Sequence, residues 1–379
     1  MIRIAWRSAA AGVLLWALLL VGARALGAAL PSSGEMRYVL QSGIETWIPY
    51  AYDVDHGINV QMLPLLAARL ALWLPDSRYL FCHDLLRQTC MIDWQSGQSH
   101  TLPGLIFPRA LPEGAAQLIY DAPENGSGYQ RIYRASAPDF VPQALTPPDE
   151  YNYYHPMLSP NGALLTFEGR ATGVSEVFVM NADGSRLRSL TNGQWVAFNP
   201  AWSPDGRFVA FRTLGEERTT NLAVVELTNN TVQMLTPDTI DVPLWQWSPD
   251  STRLAAVTQT FERGYQIEIV TLDGERQAWP SPYDMHYGVM WSPDSRSLLL
   301  LSGQIVANTL VTFAEFWQVE NGQVAQRIVD LYNAVWSPDG ETMAYGTVDG
   351  DLCFLRPAGW QTRCTRLARS TIANVVWLP

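Results

Sequence analysis

The sequence predicts an all-β fold, a single β-propeller of four-stranded blades, on three observations. First, W-S-P-D-G or W-S-P-D-S occurs at Trp202–Gly206, Trp247–Ser251, Trp291–Ser295 and Trp336–Gly340, with successive prolines 45, 44 and 45 residues apart. Second, an L-T marker keeps phase with it: Q-A-L-T, R-S-L-T and Q-M-L-T end at Thr146, Thr191 and Thr236, at steps of 45 and 45. Third, no apolar pattern of period 3.6 fills the units, which excludes a helical solenoid. Four short strands in about 44 residues is the period of a propeller blade. One blade cannot bury both faces of its sheet, whereas packing it between neighbours does.

The chain has 379 residues, 47% of them hydrophobic, with 15 Trp and 15 Tyr, enough for a large core and unlike a disordered chain. Its net charge is −11, and its 25 basic residues, all Arg, form no run that would neutralise phosphates. A nucleic-acid partner is not expected.

At the N-terminus, Arg3 and Arg7 precede the uncharged apolar run Ala9–Ala23, and Ala23-Arg24-Ala25 offers an A-x-A cleavage site. The run of 15 residues falls short of the about 20 that a spanning helix needs. Residues 1–28 therefore read as a cleaved signal peptide, with an uncleaved membrane anchor continuing to Leu30 as the alternative. Cleavage after Ala25 would remove three Arg and no acid, taking the net charge from −11 to −14. Residues 29–35 read as a short linker and 36–379 as one propeller domain, a monomeric ring.

Within 36–65, MRYVLQSG, TWIPYAYDVDHG and INVQMLPL read as second, third and fourth strands without a first. The C-terminal TIANVVWLP reads as a first strand without the rest, so the two ends are expected to complete one blade. First strands at 73, 111, 158, 202, 247, 291, 336 and 377 then make eight blades, or seven if 36–65 is an irregular lead-in. Cys82 and Cys90 flank HDLLRQT, and Cys353 and Cys364 flank FLRPAGWQTR, each pair placed to face across a hairpin. Four cysteines allow three connectivities; local pairing closes the shortest loops, and four buried free thiols is the other reading. No C-x-x-C is present, so neither zinc nor a redox motif is indicated.

The repeating turn has a simple chemistry. In Ser203-Pro204-Asp205-Gly206, proline presets φ at the second position and glycine takes the left-handed conformation that closes the hairpin. Copies ending in Ser251 and Ser295 lack that glycine and are expected to be less ideal turns. The motif's Trp reads as packing between sheets rather than stacking on a ligand, because large buried aromatics are usually core. Weaker copies at Pro160, Pro112 and Pro75 extend the series towards the N-terminus. D-G turns at Asp183-Gly184 and Asp273-Gly274 join the third and fourth strands.

P-x-W-S-P-D-G, an apolar strand, a D-G turn and then L-T together resemble the TolB-like propeller repeats of exported bacterial proteins. The same repeat type occurs in the propeller domains of prolyl oligopeptidase-like enzymes. The resemblance covers roughly residues 70–379 and is strongest from 155 to 350. It implies a propeller and no single activity. The peptidase relatives carry catalysis in a separate hydrolase domain, and G-x-S-x-G is absent here.

H-E-x-x-H and a glycine-rich phosphate loop are also absent. Asn181-Ala182-Asp183-Gly184-Ser185 lacks the acid a calcium loop needs, since Asn192 stands in its place. His155 and His286, near Asp149, Glu150 and Asp284, lie in fourth-to-first-strand loops three blades apart, so a shared metal or acid–base site would have to form across the channel. No catalytic residue, cofactor or metal is assigned.

Those loops read PPDEYNYYHP, NGQWVAF, PDTIDVPLW and SPYDMHYGV. Aromatics beside carboxylates suit protein or glycan contact. The candidate binding face is therefore Tyr153, Tyr154, His155, Trp195, Asn199, Tyr283, Asp284, His286, Tyr287 and Asn333. The expected function is that of an exported, non-enzymatic propeller binding a protein or other macromolecule. A hydrolase or lyase with its site in the channel is the alternative.

Overall fold

The computed structural model describes residues 35–377 apart from 42–45, 54–57, 62–65, 74–78, 85–88, 94–97, 103–116, 125, 137–139, 172, 216–218, 238, 261, 263, 284, 307–308, 330, 338, 348 and 368–371; before Met91 it describes the backbone alone. The N-terminal signal or anchor and the linker start lie outside the described residues. Within them there are 31 strands and no helix.

The strands form seven antiparallel sheets. Five have four strands in simple sequence order, as in Asn152–Leu158, Leu164–Ala171, Val174–Asn181 and Arg188–Ser189. A sixth has three, Gln117–Pro123, Gln130–Ser136 and Gln143–Ala144; the first strand expected near 111 lies outside the described residues. The seventh has eight strands. It divides where Thr46–Asp53 meets Leu66–Trp73 through only Thr46↔Ala67 and Trp47↔Leu66. On one side of that joint lie the strands from Leu66–Trp73 to Ser99–Leu102. On the other, Ile372–Trp377 pairs with Glu35–Gln41 through Met36↔Trp377, Arg37↔Val376 and Tyr38↔Val375. Strands from both ends of the chain thus share one sheet, as the incomplete units at 36–65 and 371–379 lead one to expect.

The core lies between neighbouring sheets. Val177 and Val179 of one sheet pack with Trp202, Val209, Phe211 and Val225 of the next, and Val224 and Leu235 pack in turn with Trp247 and Leu254. Second and third strands are covered on both faces, which is why their sequences run apolar instead of alternating.

Both sequence markers are links between strands. Trp202 Nε1 donates to the Met157 carbonyl (3.0 Å), Trp247 Nε1 to that of Ala201 (3.2 Å) and Trp291 Nε1 to that of Gln246 (3.1 Å). Each acceptor sits on the first strand of the preceding sheet, so the tryptophan both fills the interface and pins it. Trp336 departs from the series: its Nε1 is buried without an acceptor. In the L-T marker the leucine is core, and the threonine hydroxyl satisfies a third-strand amide that the short fourth strand leaves open. Thr146, Thr191 and Thr236 accept the N–H groups of Ile132, Val177 and Leu222 at 3.1, 3.3 and 2.8 Å.

The turn needs its serine and aspartate together. Ser203 Oγ donates to Asp205 Oδ1 (2.6 Å) and accepts the Phe208 N–H (3.0 Å), while Asp205 Oδ1 accepts the Arg207 N–H (3.0 Å). Asp250 is held the same way: burial opposes ionisation, but hydrogen bonds from Ser248 and Thr252 bring its pKa down to about 2.

The serine-ended turns differ from the expectation. Ser251 and Ser295 occupy the same left-handed conformation as glycine, at φ of 62° and 59° against 72° for Gly206. A side chain there costs about 1–2 kcal/mol. Each hydroxyl, however, accepts an N–H from the preceding blade's turn, Asp205 to Ser251 at 3.0 Å and Asp250 to Ser295 at 3.2 Å. A buried hydrogen bond contributes about 0.5–1.5 kcal/mol and offsets most of that cost. These turns are interlocked rather than degraded.

Cys353 and Cys364 form a disulfide across directly paired positions of the hairpin Asp351–Arg356 and Gln361–Arg366. Cys82 and Cys90 are likewise opposite one another in register.

Candidate binding face

Alternating strand direction sorts the loops by face. The SPDG and D-G turns share one end of the sheets; the second-to-third-strand hairpins and the fourth-to-first-strand loops share the other. Near that second end the first strands slip register: between Tyr154 and Met157, Phe198 and Ala201, Asp241 and Leu244, His286 and Gly288, and Leu331 and Asn333. Bulges of this kind re-aim local groups, and two of the residues involved, His155 and Asn199, have φ of 55° and 52°.

The bulges are fastened to the preceding sheet. Asp121 Oδ1 accepts the His155 N–H (3.1 Å), and Glu168 Oε1 accepts the Asn199 N–H (2.7 Å). Glu168 also lies 3.0 Å from His155 Nδ1; its side chain is 5% exposed and that of His155 41%. At the next joint the polarity reverses, with Arg212 Nη2 donating to Asp241 Oδ1 at 2.6 Å. A buried carboxylate is tolerated only when donors surround it, and for Glu168 the Asn199 N–H from the adjoining blade joins His155 of its own sheet. His155 and Asn199 are therefore clasps between blades.

The aromatics chosen from sequence separate into different roles. Tyr153 is buried, against Phe167 and Phe178, with its hydroxyl donating to Asp149 Oδ2 at 2.7 Å. Burial, and then that carboxylate, push its pKa up, so it stays a neutral donor. Tyr283 is also buried and donates to Glu315 Oε1 (2.8 Å); burial and then Glu315 raise its pKa to about 12. Arg327 closes this group by bonding both Glu315 and the Tyr283 hydroxyl. Trp195 packs against the cluster containing Val177 and Trp202. Reading Tyr153 and Tyr283 as exposed contact residues is thus corrected: each ring fills the core because a nearby acid satisfies its hydroxyl. Tyr154 is half-buried beside His155, and Tyr287 is exposed at 49%.

His286 is held at both nitrogens: Nε2 lies 3.1 Å from the Tyr283 carbonyl and 3.2 Å from Ser281 Oγ, and Nδ1 lies 3.0 Å from Ser302 Oγ. A carbonyl can only accept, so Nε2 carries a proton and donates to it. Asn333 stands opposite Gly346, next to its strand's register shift. Asp284 lies outside the described residues. His155 and His286 have separate partners, and among the described residues no three His, Cys, Asp or Glu converge as metal ligands.

Two features escaped the sequence. Arg131 is 1% exposed and threads its guanidinium under the 149–151 loop, donating to the carbonyls of Tyr151 (2.5 Å) and Asp149 (2.6 Å). It also pairs with Glu124 at 3.3 Å and Asp149 at 3.4 Å. Arg131 is one of two arginines in the strand QRIYRAS, and nothing in that sequence distinguishes its role from that of Arg134. The second feature is apolar exposure at the hairpins: Val174 is 41% exposed, Leu214 41% and Ile305 64%. With Tyr287, they are four of the six exposed large hydrophobics among the described residues; Val141 and Val324 lie toward the other end. Their signal was an apolar residue persisting into A-T-G-V, T-L-G-E and Q-I-V-A, where a turn calls for polar ones.

No family model matches the chain. Over 145 residues, 38% of the chain, it is 27% identical to the Protein TolB homolog of Chlorobium chlorochromatii, and the match spans 32% of that relative's length. Among solved structures, the dihydro-heme d1 dehydrogenase NirN in complex with DHE aligns with a TM-score of 0.64 at 14% identity, covering 90% of this chain and 74% of that one. TolB from Acinetobacter baumannii aligns with a TM-score of 0.41 at 13% identity, covering 81% of each chain. The chain has the fold of a β-propeller and TolB-like repeats.

Proposed function

We propose that this chain is an exported, non-enzymatic propeller that binds a protein partner in the cell envelope or outside the cell, through the face of the second-to-third-strand hairpins. The observation that carries this reading is the placement of Val174, Leu214, Tyr287 and Ile305 on one face. The SPDG face spends its polar groups on its own turns and on their neighbours. Four of the six exposed large hydrophobics among the described residues fall on this one face, on three different sheets, and exposed apolar surface concentrated on one face is what an interaction site presents. Export is supported by the apolar N-terminal run and by the Cys353–Cys364 bridge, since disulfides persist in oxidising compartments. The TolB homolog supports the reading through its shared repeat type.

A hydrolase or lyase is the second reading, and His155 favours it, because its half-exposed imidazole lies beside a buried carboxylate. Turnover lost on His155→Ala would establish it.

The binding proposal is tested by Val174→Ser, Leu214→Ser and Ile305→Ser combined. Fewer than about a third of interface residues cost more than about 1 kcal/mol singly, so the three are changed together, and capture of envelope proteins should fall by at least about tenfold, roughly 1.4 kcal/mol. Surface changes move stability by about 0.5 kcal/mol, so the melting temperature should stay within about 2 °C per variant. Undiminished capture by the triple variant, or equal loss from Val141→Ser with Val324→Ser, would place the site elsewhere.

A further inference from the structure

The hairpin face is acidic as well as apolar. Arginines near it are already committed: Arg212 to Asp241, Arg327 to Glu315 and Arg366 to Asp351. Exposed carboxylates remain at Glu150, in a fourth-to-first-strand loop, and at Glu262 and Asp349, on hairpin tips. None of these makes an ion pair among the described residues; Arg170 is the one exposed, unpaired arginine described on this face. The chain as a whole carries −11, so the long-range field also favours a cation. We infer that the occupant of this face is a cationic, apolar-bearing segment of a partner protein, whose Arg or Lys side chains meet Glu150, Glu262 and Asp349 while its apolar side chains cover Val174, Leu214 and Ile305. The inference rests on the binding face proposed above and adds the partner's chemistry. An anionic lipid surface is the wrong occupant for such a face, because like charges oppose approach.

The test uses the purified full chain and two labelled 12-residue peptides, one alternating Arg and Leu, the other Glu and Leu, followed by fluorescence anisotropy. The Arg–Leu peptide should bind at least tenfold more tightly, and its binding should weaken as salt rises from 0.05 to 0.3 M. Combined Glu150→Gln, Glu262→Gln and Asp349→Asn should cost it roughly tenfold, since each change removes a charge complementary to the peptide's arginines. Val141→Ser with Val324→Ser should change nothing. Equal affinity for the two peptides, indifference to the carboxamide variant, or binding to phosphatidylglycerol vesicles that this variant abolishes would each overturn the inference. If the Arg–Leu peptide fails while the Val174, Leu214 and Ile305 variant still loses envelope capture, the cationic partner is wrong and the binding face stands. If that capture is also undiminished, both fall.

Discussion

Deleting residues 372–379 is expected to lower stability by about 4 kcal/mol or more, beyond the range of ordinary single substitutions. The deletion removes Ile372–Trp377, the strand that pairs with Glu35–Gln41. Ile372 is fully buried and packs so closely over Gly346 that a Cβ there would come within 2.7 Å of it. Burying one such side chain contributes about 1.5–3 kcal/mol, and the exposed edge of Glu35–Gln41 adds unpaired backbone groups. At about 2 °C per kcal/mol for a large domain, the thermal midpoint should fall by roughly 8 °C. An unchanged midpoint in calorimetry would mean that the terminal strands do not share a sheet in solution.

Arg131→Ala is expected to lower stability by about 1–3 kcal/mol. The guanidinium is 1% exposed and serves two carbonyls and two carboxylates at once. Its loss leaves the Tyr151 and Asp149 carbonyls without their donor, whereas the carboxylates of Glu124 and Asp149, 30% and 35% exposed, regain water. The damage should be local to the joint between the 117–144 sheet and the 152–189 sheet, where Tyr153 and Asp149 lose their anchor. Urea unfolding at constant m-value measures it; a change below about 1 kcal/mol would show that water replaces the guanidinium without penalty.

What could be read from sequence was whatever the backbone repeats. The tryptophan, the SPDG turn and the L-T threonine each meet the same need once per blade, so their period survives in the letters. The pairing of the chain ends followed from counting strands. What could not be read was exposure. Tyrosines beside acids look like a recognition surface, yet Tyr153 buries its ring by bonding Asp149, and Tyr283 does so through Glu315, 32 residues away. The serine-ended turns hid their logic for a related reason. The partner of Ser251 is Asp205, 46 residues back, and the bond exists only once two blades are side by side. His155 and Asn199 looked like rim residues because the bulges that turn their amides towards Asp121 and Glu168 leave no pattern in composition. The apolar hairpin tips were visible but unweighted, since an isolated valine or leucine near a turn is ordinary until three blades place them on one face.

The central claim, that this propeller binds protein through its hairpin face, is tested most directly by photocrosslinking in intact producing cells. A benzophenone amino acid is placed singly at Leu214, Ile305, Val141 or Val324, all exposed positions. The account predicts a discrete crosslinked protein from Leu214 and Ile305 and none from Val141 and Val324. Crosslinks confined to Val141 and Val324, or absent from all four positions in cells where the chain is folded and exported, would contradict it.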